Sequence, residues 1–323
     1  MEPTTLQEAI IYFADPSNCL EYLKVRRWPN GVVCPTCGNT EGIGFLKNQS
    51  RWQCRYKHTK RQFSIKVGTI FEDSPIGLDK WLTAMWLICN CKNGVSSYEI
   101  ARDVNVTQTT AWFILQRVRK VMQDEVSGGK IGGNGIPVEI DETFIGGKSR
   151  NMHKNKRDAL KLAGDLNCGG TGKAVVIGAL ERGGKVRATV ASDRKKRTIQ
   201  PFVKANVAMG TELHSDEWAG IWRMDDVYEH AVVNHLERYV DGNVHTNGIE
   251  NFWSLLKRGI AGTYVSVEPF HLFRYVDEQA FRFNNRKPMN DAQRFSYLCR
   301  KVVGKRLTYA ELTGKEAGSV EAF

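Results

Sequence analysis

The chain has 323 residues and carries 46 Lys and Arg against 35 Asp and Glu, a formal net charge of +11. With 41% hydrophobic and 25% charged residues it has the composition of a soluble globular protein of two or three domains, which excludes fibrous and wholly disordered classes. The positive balance points to a polyanionic partner, most often nucleic acid. The start of the chain lacks a basic segment followed by an apolar one, so no secretory signal is expected. The most apolar stretch, Trp81 to Cys91, is about half the length of a membrane span. A reducing, cytoplasmic location is therefore expected. There the eight cysteines would be free thiols or zinc ligands rather than a disulfide scaffold.

In chain order, the pattern predicts two short helices, a cysteine-containing β-type segment to about Phe71, and helices from Leu78 to Glu125. Val126 to Gly135 holds five glycines in ten residues and reads as a linker or wide turn. Beyond it the pattern changes to strands at Pro137–Ile145, Ala174–Glu181 and Val186–Ser192. A helix at Thr198–Asn206, a strand at Thr211–Asp216, a short helix near Ala219–Asp225 and a strand at Glu229–Asn234 follow. Helices then open at Asn247 and at His271. This order is that of an α/β domain with a mixed sheet. The implied divisions are 1–73 (helices and ribbon), 74–125 (helical segment), 126–136 (linker), 137–290 (α/β domain) and 291–323 (tail).

Cys34 and Cys37 form a C-x2-C turn followed by Gly38. Sixteen residues separate Cys37 from Cys54, and three separate Cys54 from His58. The four N and S ligands are the number a closed tetrahedral zinc site needs. Gly44–Lys47 and Arg51–Cys54 are the candidate hairpin strands of a ribbon. His58 lies among Lys57, Lys60 and Arg61, where a solvated side chain is the alternative reading. Cys19, Cys89, Cys91, Cys168 and Cys299 read as buried small hydrophobes.

Trp81 to Leu87 is an apolar helix, and Ser96-Ser97 with Glu99 opens a second. Asn105 to Gln108 turns into a third, Thr107 to Val121, that carries Arg117, Arg119 and Lys120. Helix, turn and capped basic helix is the order of a helix-turn-helix DNA reader, or equally of a plain helical bundle.

A carboxylate in an apolar strand is costly unless it is paired or holds a metal. Asp141 stands in such a strand, with Glu142 as the competing acid. Asp216 ends another, with Glu217, Asp225 and Asp226 as competitors. Glu250 lies in the first turn of a helix, on one face with Trp253 and Lys257, and Asn247-x-x-Glu250 also fits a capping box. Acids from two strands and a helix suit a pair of hard divalent cations such as Mg2+.

Leu20–Cys37, Val67–Asp73, Ile140–Lys148 (IDETFIGGK), His214–Trp218 (HSDEW) and His245–Arg258 (HTNGIENFWSLLKR) resemble blocks of one family. It is the group of bacterial insertion-sequence transposases with an N-terminal zinc ribbon and an Asp-Asp-Asn/Glu-Lys signature, within the RNase H-like, retroviral-integrase superfamily. The resemblance implies an RNase H-like mixed-sheet catalytic domain, preceded by a zinc ribbon and a small helix-turn-helix-like domain. It makes Asp141 and Asp216 the first two catalytic acids and Glu250 or Asn247 the third group, with Lys257 near the scissile phosphate. It implies Mg2+ or Mn2+ at Asp141, Asp216 and Glu250, structural Zn2+ in the ribbon, and a homo-oligomer on double-stranded transposon and target DNA. Lys148, Lys154, Lys156 and Arg157, with Arg194, Lys195, Lys196 and Arg197, are candidate phosphate contacts. A zinc-containing regulator and a structure-specific nuclease are the rival readings.

Overall fold

The structure, a computed structural model, describes residues 2–123, 129–147, 153–155, 158, 172–216, 224, 226–233 and 245–314. These form two compact units. One takes the chain up to Gln123 together with the chain from Asn285 onward, and the other takes the stretch between them.

The first unit opens with helices α1 (Leu6–Phe13) and α2 (Pro16–Arg27). Thr5 and Glu8 close a capping box on α1, while Asp15 caps α2 ahead of Pro16. An antiparallel ribbon follows: β1 (Ile43–Leu46), β2 (Arg51–Cys54) and β3 (Gln62–Phe63). Its small core is aromatic. The Trp52 ring meets Trp28 edge-on at 5.1 Å and stacks on Phe63 at 6.1 Å. The chain leaving the ribbon is held by Arg27, which donates to the carbonyls of Ile65 and Val67, both at 2.6 Å. Burial pushes the Arg27 pKa down to about 10. Helices α3 (Leu78–Asn90), α4 (Ser97–Asp103) and α5 (Gln108–Met122) follow, the last two capped by Ser96 and Thr107.

The second unit is built on a five-stranded mixed sheet. Its strands are β4 (Val138–Ile145), β5 (Ala174–Glu181), β6 (Val186–Ala191), β7 (Glu212–Asp216) and β8 (Glu229–Val233), in the order β6-β5-β4-β7-β8. Pairs within β6-β5-β4 are antiparallel, and β4, β7 and β8 run parallel. Helix α6 (Lys196–Asn206) precedes β7. Helices α7 (Asn247–Arg258) and α8 (Leu272–Asn285) close the unit. Side chains alternate across the sheet. Val138, Ile140, Ile177 and Ala179 pack with Ile199 and Val203 of α6. Ile145, Val176 and Leu180 pack with Ile249, Phe252, Trp253 and Leu256 of α7 and with Val276 of α8. The α7 residues recur at i, i+3, i+4 and i+7, the spacing of a helix buried on one face.

All five expected strands of this unit are present. The short helix expected near Ala219–Asp225 lies outside the described residues. The described part of the Gly-rich segment at 126–136 contains a turn bridged between Gly133 and Ile136, while Ile131 bridges to Val207 in parallel and is buried in the core with α6. After α8 the chain returns to the first unit as α9 (Asp291–Arg300) and α10 (Tyr309–Thr313). Phe295 of α9 stacks on Tyr22 at 5.5 Å and meets Trp86 at 4.9 Å. Residues 291–314 are therefore part of a core and not a tail. Among the described residues, no helix is long and apolar enough to cross a membrane.

Candidate active site and zinc centre

The ribbon gathers four ligand atoms. Those of Cys34, Cys37, Cys54 and His58 all lie within 4.8 Å of one another. Cys37 Sγ is 3.7 Å from Cys54 Sγ, and Cys34 Sγ is 3.5 Å from His58 Nε2. A zinc tetrahedron with Zn–S near 2.3 Å has edges of about 3.8 Å, so these separations match ligand-to-ligand edges. The C-x2-C turn is closed by Gly38, whose N–H donates to Cys34 O at 2.9 Å and whose φ of +74° suits glycine. The Asn39 side chain donates to Cys37 Sγ at 3.4 Å, and Cys37 sits below the usual thiol pKa because of hydrogen bonds led by the Asn39 backbone. A Cys3His cluster with this spacing fits structural zinc.

In the second unit, Asp141 lies midway along β4, on the face that carries α7. Its Oδ1 accepts the backbone N–H of Glu142 at 2.8 Å, and its Oδ2 accepts the indole N–H of Trp253 at 2.9 Å. Opposite it on β5 is Gly178. A Cβ there would approach the Trp253 ring to 2.8 Å, so the missing side chain lets the indole close onto the sheet at this point. On the other side of β4 the parallel register pairs Glu139 with His214. Two residues further along each strand stand Asp141 and Asp216, the latter closing β7. The Asp216 backbone is described and its side chain is not.

Helix α7 is capped at Thr246 rather than Asn247, so the expected capping box does not form. Asn247 is the first helical residue and is exposed. Glu250, also exposed, accepts from the Thr246 hydroxyl at 3.2 Å. It lies one turn before Trp253, hence next to the residue that grips Asp141. Lys257 is exposed one turn after Trp253. Glu142, the rival to Asp141, pairs with Arg194 at 3.5 Å. Asp226 is an exposed turn residue, and Glu217 and Asp225 lie outside the described residues.

Two groups beside Asp141 were not singled out from the sequence. Glu139 is 1% exposed, and its carboxylate accepts the Ile249 N–H at 2.9 Å and two Arg182 donors at 3.3 and 3.4 Å. Arg182 Nη2 also lies 3.1 Å from His214 Nδ1 and donates to the His245 carbonyl at 3.1 Å. Trp253 is the other. Both had a legible signal: Glu139 is an acid two residues from Asp141 in an alternating strand, and Trp253 shares the helical face of Glu250.

The basic helix requires a correction. Arg117 and Arg119 are 5% and 1% exposed. Arg117 donates to the carbonyls of Ile70 at 2.7 Å, Glu72 at 2.8 Å and Leu307 at 3.2 Å. Lys120 pairs with Glu311 at 3.1 Å. Arg117 and Lys120 thus tie α5 to the ribbon exit and the returning chain, and Arg117 and Arg119 face the interior of the first unit rather than solvent. What α5 exposes is its start, Thr107 and Thr109, with Gln108 and Thr110 half-buried. In contrast, Arg194, Lys195, Lys196 and Arg197 are all exposed around the start of α6, with Arg197 3.3 Å from Asp193. Lys154 is exposed, and Lys148, Lys156 and Arg157 lie outside the described residues.

Residues 131–284 match the family described as the ISXO2-like transposase domain, and residues 15–56 match the transposase zinc-ribbon domain. A protein of Halobacterium salinarum, described as an uncharacterized protein in transposable element ISH50, is 25% identical over 246 residues, covering 73% of this chain and 80% of that protein. The first match spans the mixed-sheet unit, and the second spans α2 and the ribbon as far as Tyr56, including Cys34, Cys37 and Cys54. The chain thus belongs to the insertion-sequence transposases that carry an N-terminal zinc ribbon.

Proposed function

We propose that this transposase is of the DDE type: an RNase H-like polynucleotidyl transferase that cuts transposon ends to leave a 3′-OH and joins that 3′-OH to target DNA. The observation that supports the reading is the β4–β7 register, which pairs Glu139 with His214 on adjacent parallel strands, each two residues before one of the proposed acids, Asp141 and Asp216. An all-carboxylate set from Asp141, Asp216 and Glu250 suits Mg2+ or Mn2+, which prefer oxygen donors. Two such ions would activate the attacking oxygen and stabilise the leaving one in an in-line displacement. Asp141 enters this chemistry with its carboxylate already oriented by Trp253 and by the Glu142 N–H. Glu250 brings the acid from the helix, and Asn247, one turn earlier, is the alternative third ligand or orients Glu250. Lys257, on the same face, neutralises the phosphate flanking the scissile bond.

Transposon ends are bound by the first unit. Helices α4 and α5 are joined by the short connection Val104–Thr107, with Asn105 in the left-handed region at φ 50°. In a helix-turn-helix it is the N-terminal residues of the second helix that meet base edges. Thr107, Gln108 and Thr109 hold that position here, in place of Arg117, Arg119 and Lys120. The exposed run Arg194–Arg197 contacts DNA phosphates. Pairing of two transposon ends implies a homo-oligomer on DNA.

The test is a duplex carrying the element's terminal repeat, incubated with the zinc-loaded full chain and Mg2+ or Mn2+. Cleavage and joining to a target are expected, and both should disappear in Asp141→Asn and Asp216→Ala. Cleavage without joining would reassign the protein as a nuclease, and intact strand transfer in Asp216→Ala would remove that residue from the site.

A further inference from the structure

Helix α7 carries Glu250, so the site depends on how that helix is fixed to the sheet. Its cap residue Thr246 makes no side-chain capping hydrogen bond. A first-turn N–H is instead satisfied from the sheet: the buried Glu139 accepts the Ile249 N–H at 2.9 Å while Arg182 holds the same carboxylate. A carboxylate against a helix N-terminus also meets the positive end of the helix dipole. Gly248 permits the approach, since a Cβ there would stand 2.7 Å from Glu139 Oε2 and 3.0 Å from Leu180 Cδ2. One turn further on, Trp253 ties the helix to the next inward-facing acid of β4, Asp141. Glu250 lies between these two fastenings, directly after Ile249 and one turn before Trp253.

We propose that Glu139 and Trp253 are positioning residues for the metal centre. Glu139 sets the height of α7 on β4 and takes no metal itself. Trp253 fixes both the rotation of α7 and the carboxylate of Asp141. The inference rests on the reading of Asp141 and Glu250 as metal ligands. Groups that orient metal ligands through hydrogen bonds typically contribute 10- to 100-fold in affinity.

The experiment measures Mn2+ binding by calorimetry and by electron paramagnetic resonance on the zinc-loaded full chain, with thermal unfolding recorded in parallel. Trp253→Phe keeps a ring against Gly178 and removes only the N–H. It should weaken Mn2+ binding by roughly 10- to 100-fold, and Glu139→Gln should weaken it in the same direction. Leu256→Ala loosens α7 without touching either fastening, and should lower the melting temperature while leaving Mn2+ affinity within about twofold. Wild-type affinity in both Trp253→Phe and Glu139→Gln overturns the proposal, as does an equal loss of affinity in Leu256→Ala. Asp141→Asn separates the two levels. If it binds Mn2+ as the wild type does, the metal reading itself fails; if it loses binding while Trp253→Phe and Glu139→Gln do not, only the positioning role fails.

Discussion

Arg117 shows how one side chain can tie distant parts of the first unit together. Its guanidinium forks between the ribbon exit, at Ile70 and Glu72, and the returning chain at Leu307, while its plane lies 4.4 Å from the Phe113 ring centre. Removing a donor that satisfies three carbonyls, two of them from deep positions, leaves acceptors without partners at about 1–3 kcal/mol each. Arg117→Ala should therefore lower stability by about 3 kcal/mol in urea unfolding. Arg117→Lys should recover less than half, because an ammonium is a point charge and not a planar fork. A loss below about 1 kcal/mol would show that the carbonyls find other partners. The thiols give a second prediction at this scale. Cys19, Cys89 and Cys299 are buried, and burial raises their pKa values, that of Cys19 to about 12. They should resist alkylation at pH 8 until the chain unfolds, whereas chelation of zinc should make Cys37 react at once. The three zinc-cluster cysteines were readable from spacing, because a C-x2-C pair with a third cysteine at a ribbon interval has few other uses, whereas His58 among basic residues had a rival reading as a solvated side chain. The role of Arg117 was not readable, since a basic residue in a helix looks the same in sequence whether it faces DNA or three carbonyls.

At the scale of elements, the region after α7 is under local strain. The helix does not stop at Gly259 but runs through a single π turn, Gly259–Tyr264, into Val265 at φ 62°, ψ −53°. There the Ser266 N–H donates to Tyr264 O across a tight three-residue turn, and the Val265 side chain is 78% exposed. A β-branched residue held at positive φ costs of order 1–3 kcal/mol and gains little here from packing. Val265→Gly should raise stability by about 1 kcal/mol after the added freedom of the unfolded chain is set against the relief. An unchanged or lower melting temperature would mean that Val265 makes contacts that offset its backbone. Gly178 gives the opposite case. Its missing Cβ admits the Trp253 ring, so Gly178→Ala should push α7 outward and cost about 1–3 kcal/mol, with weaker Mn2+ binding. Strands were the most legible elements, because β-branched runs such as Ala174–Glu181 and Val186–Ala191 carry their period openly. The return of α9 to the first unit was not legible: Phe295, Leu298 and Cys299 mark an apolar face, but nothing local says which core receives it. The same limit hid the role of Glu139, whose partner Ile249 lies 110 residues away.

For the molecule as a whole, the +11 charge is divided by environment and not by sequence alone. Arg27 and Arg117 are consumed in backbone contacts inside the first unit, and Arg182 is bound to Glu139 beside the carboxylates. None of these three is available to neutralise a phosphate. The exposed run Arg194–Arg197 is: Arg194 reaches Glu142 at 3.5 Å and Arg197 reaches Asp193 at 3.3 Å, but both cations are themselves largely open to solvent, where an ion pair is worth about 0–1 kcal/mol. Counterion release makes this division measurable. Each phosphate contact contributes about 0.9 to the slope of log K against log salt concentration on duplex DNA. Replacing Lys195, Lys196 and Arg197 with alanine should therefore flatten that slope by up to about 2.7, and weaken binding equally on repeat-containing and unrelated duplexes. Substituting Thr107, Gln108 and Thr109 should do the reverse, lowering the preference for the terminal repeat while leaving the slope nearly unchanged, since neutral side chains release no ions. If the lysine and arginine replacements leave the slope intact, the run is a solvated surface and the phosphate contacts lie elsewhere. If they reduce preference for the repeat instead, the two roles assigned here to α6 and α5 are exchanged.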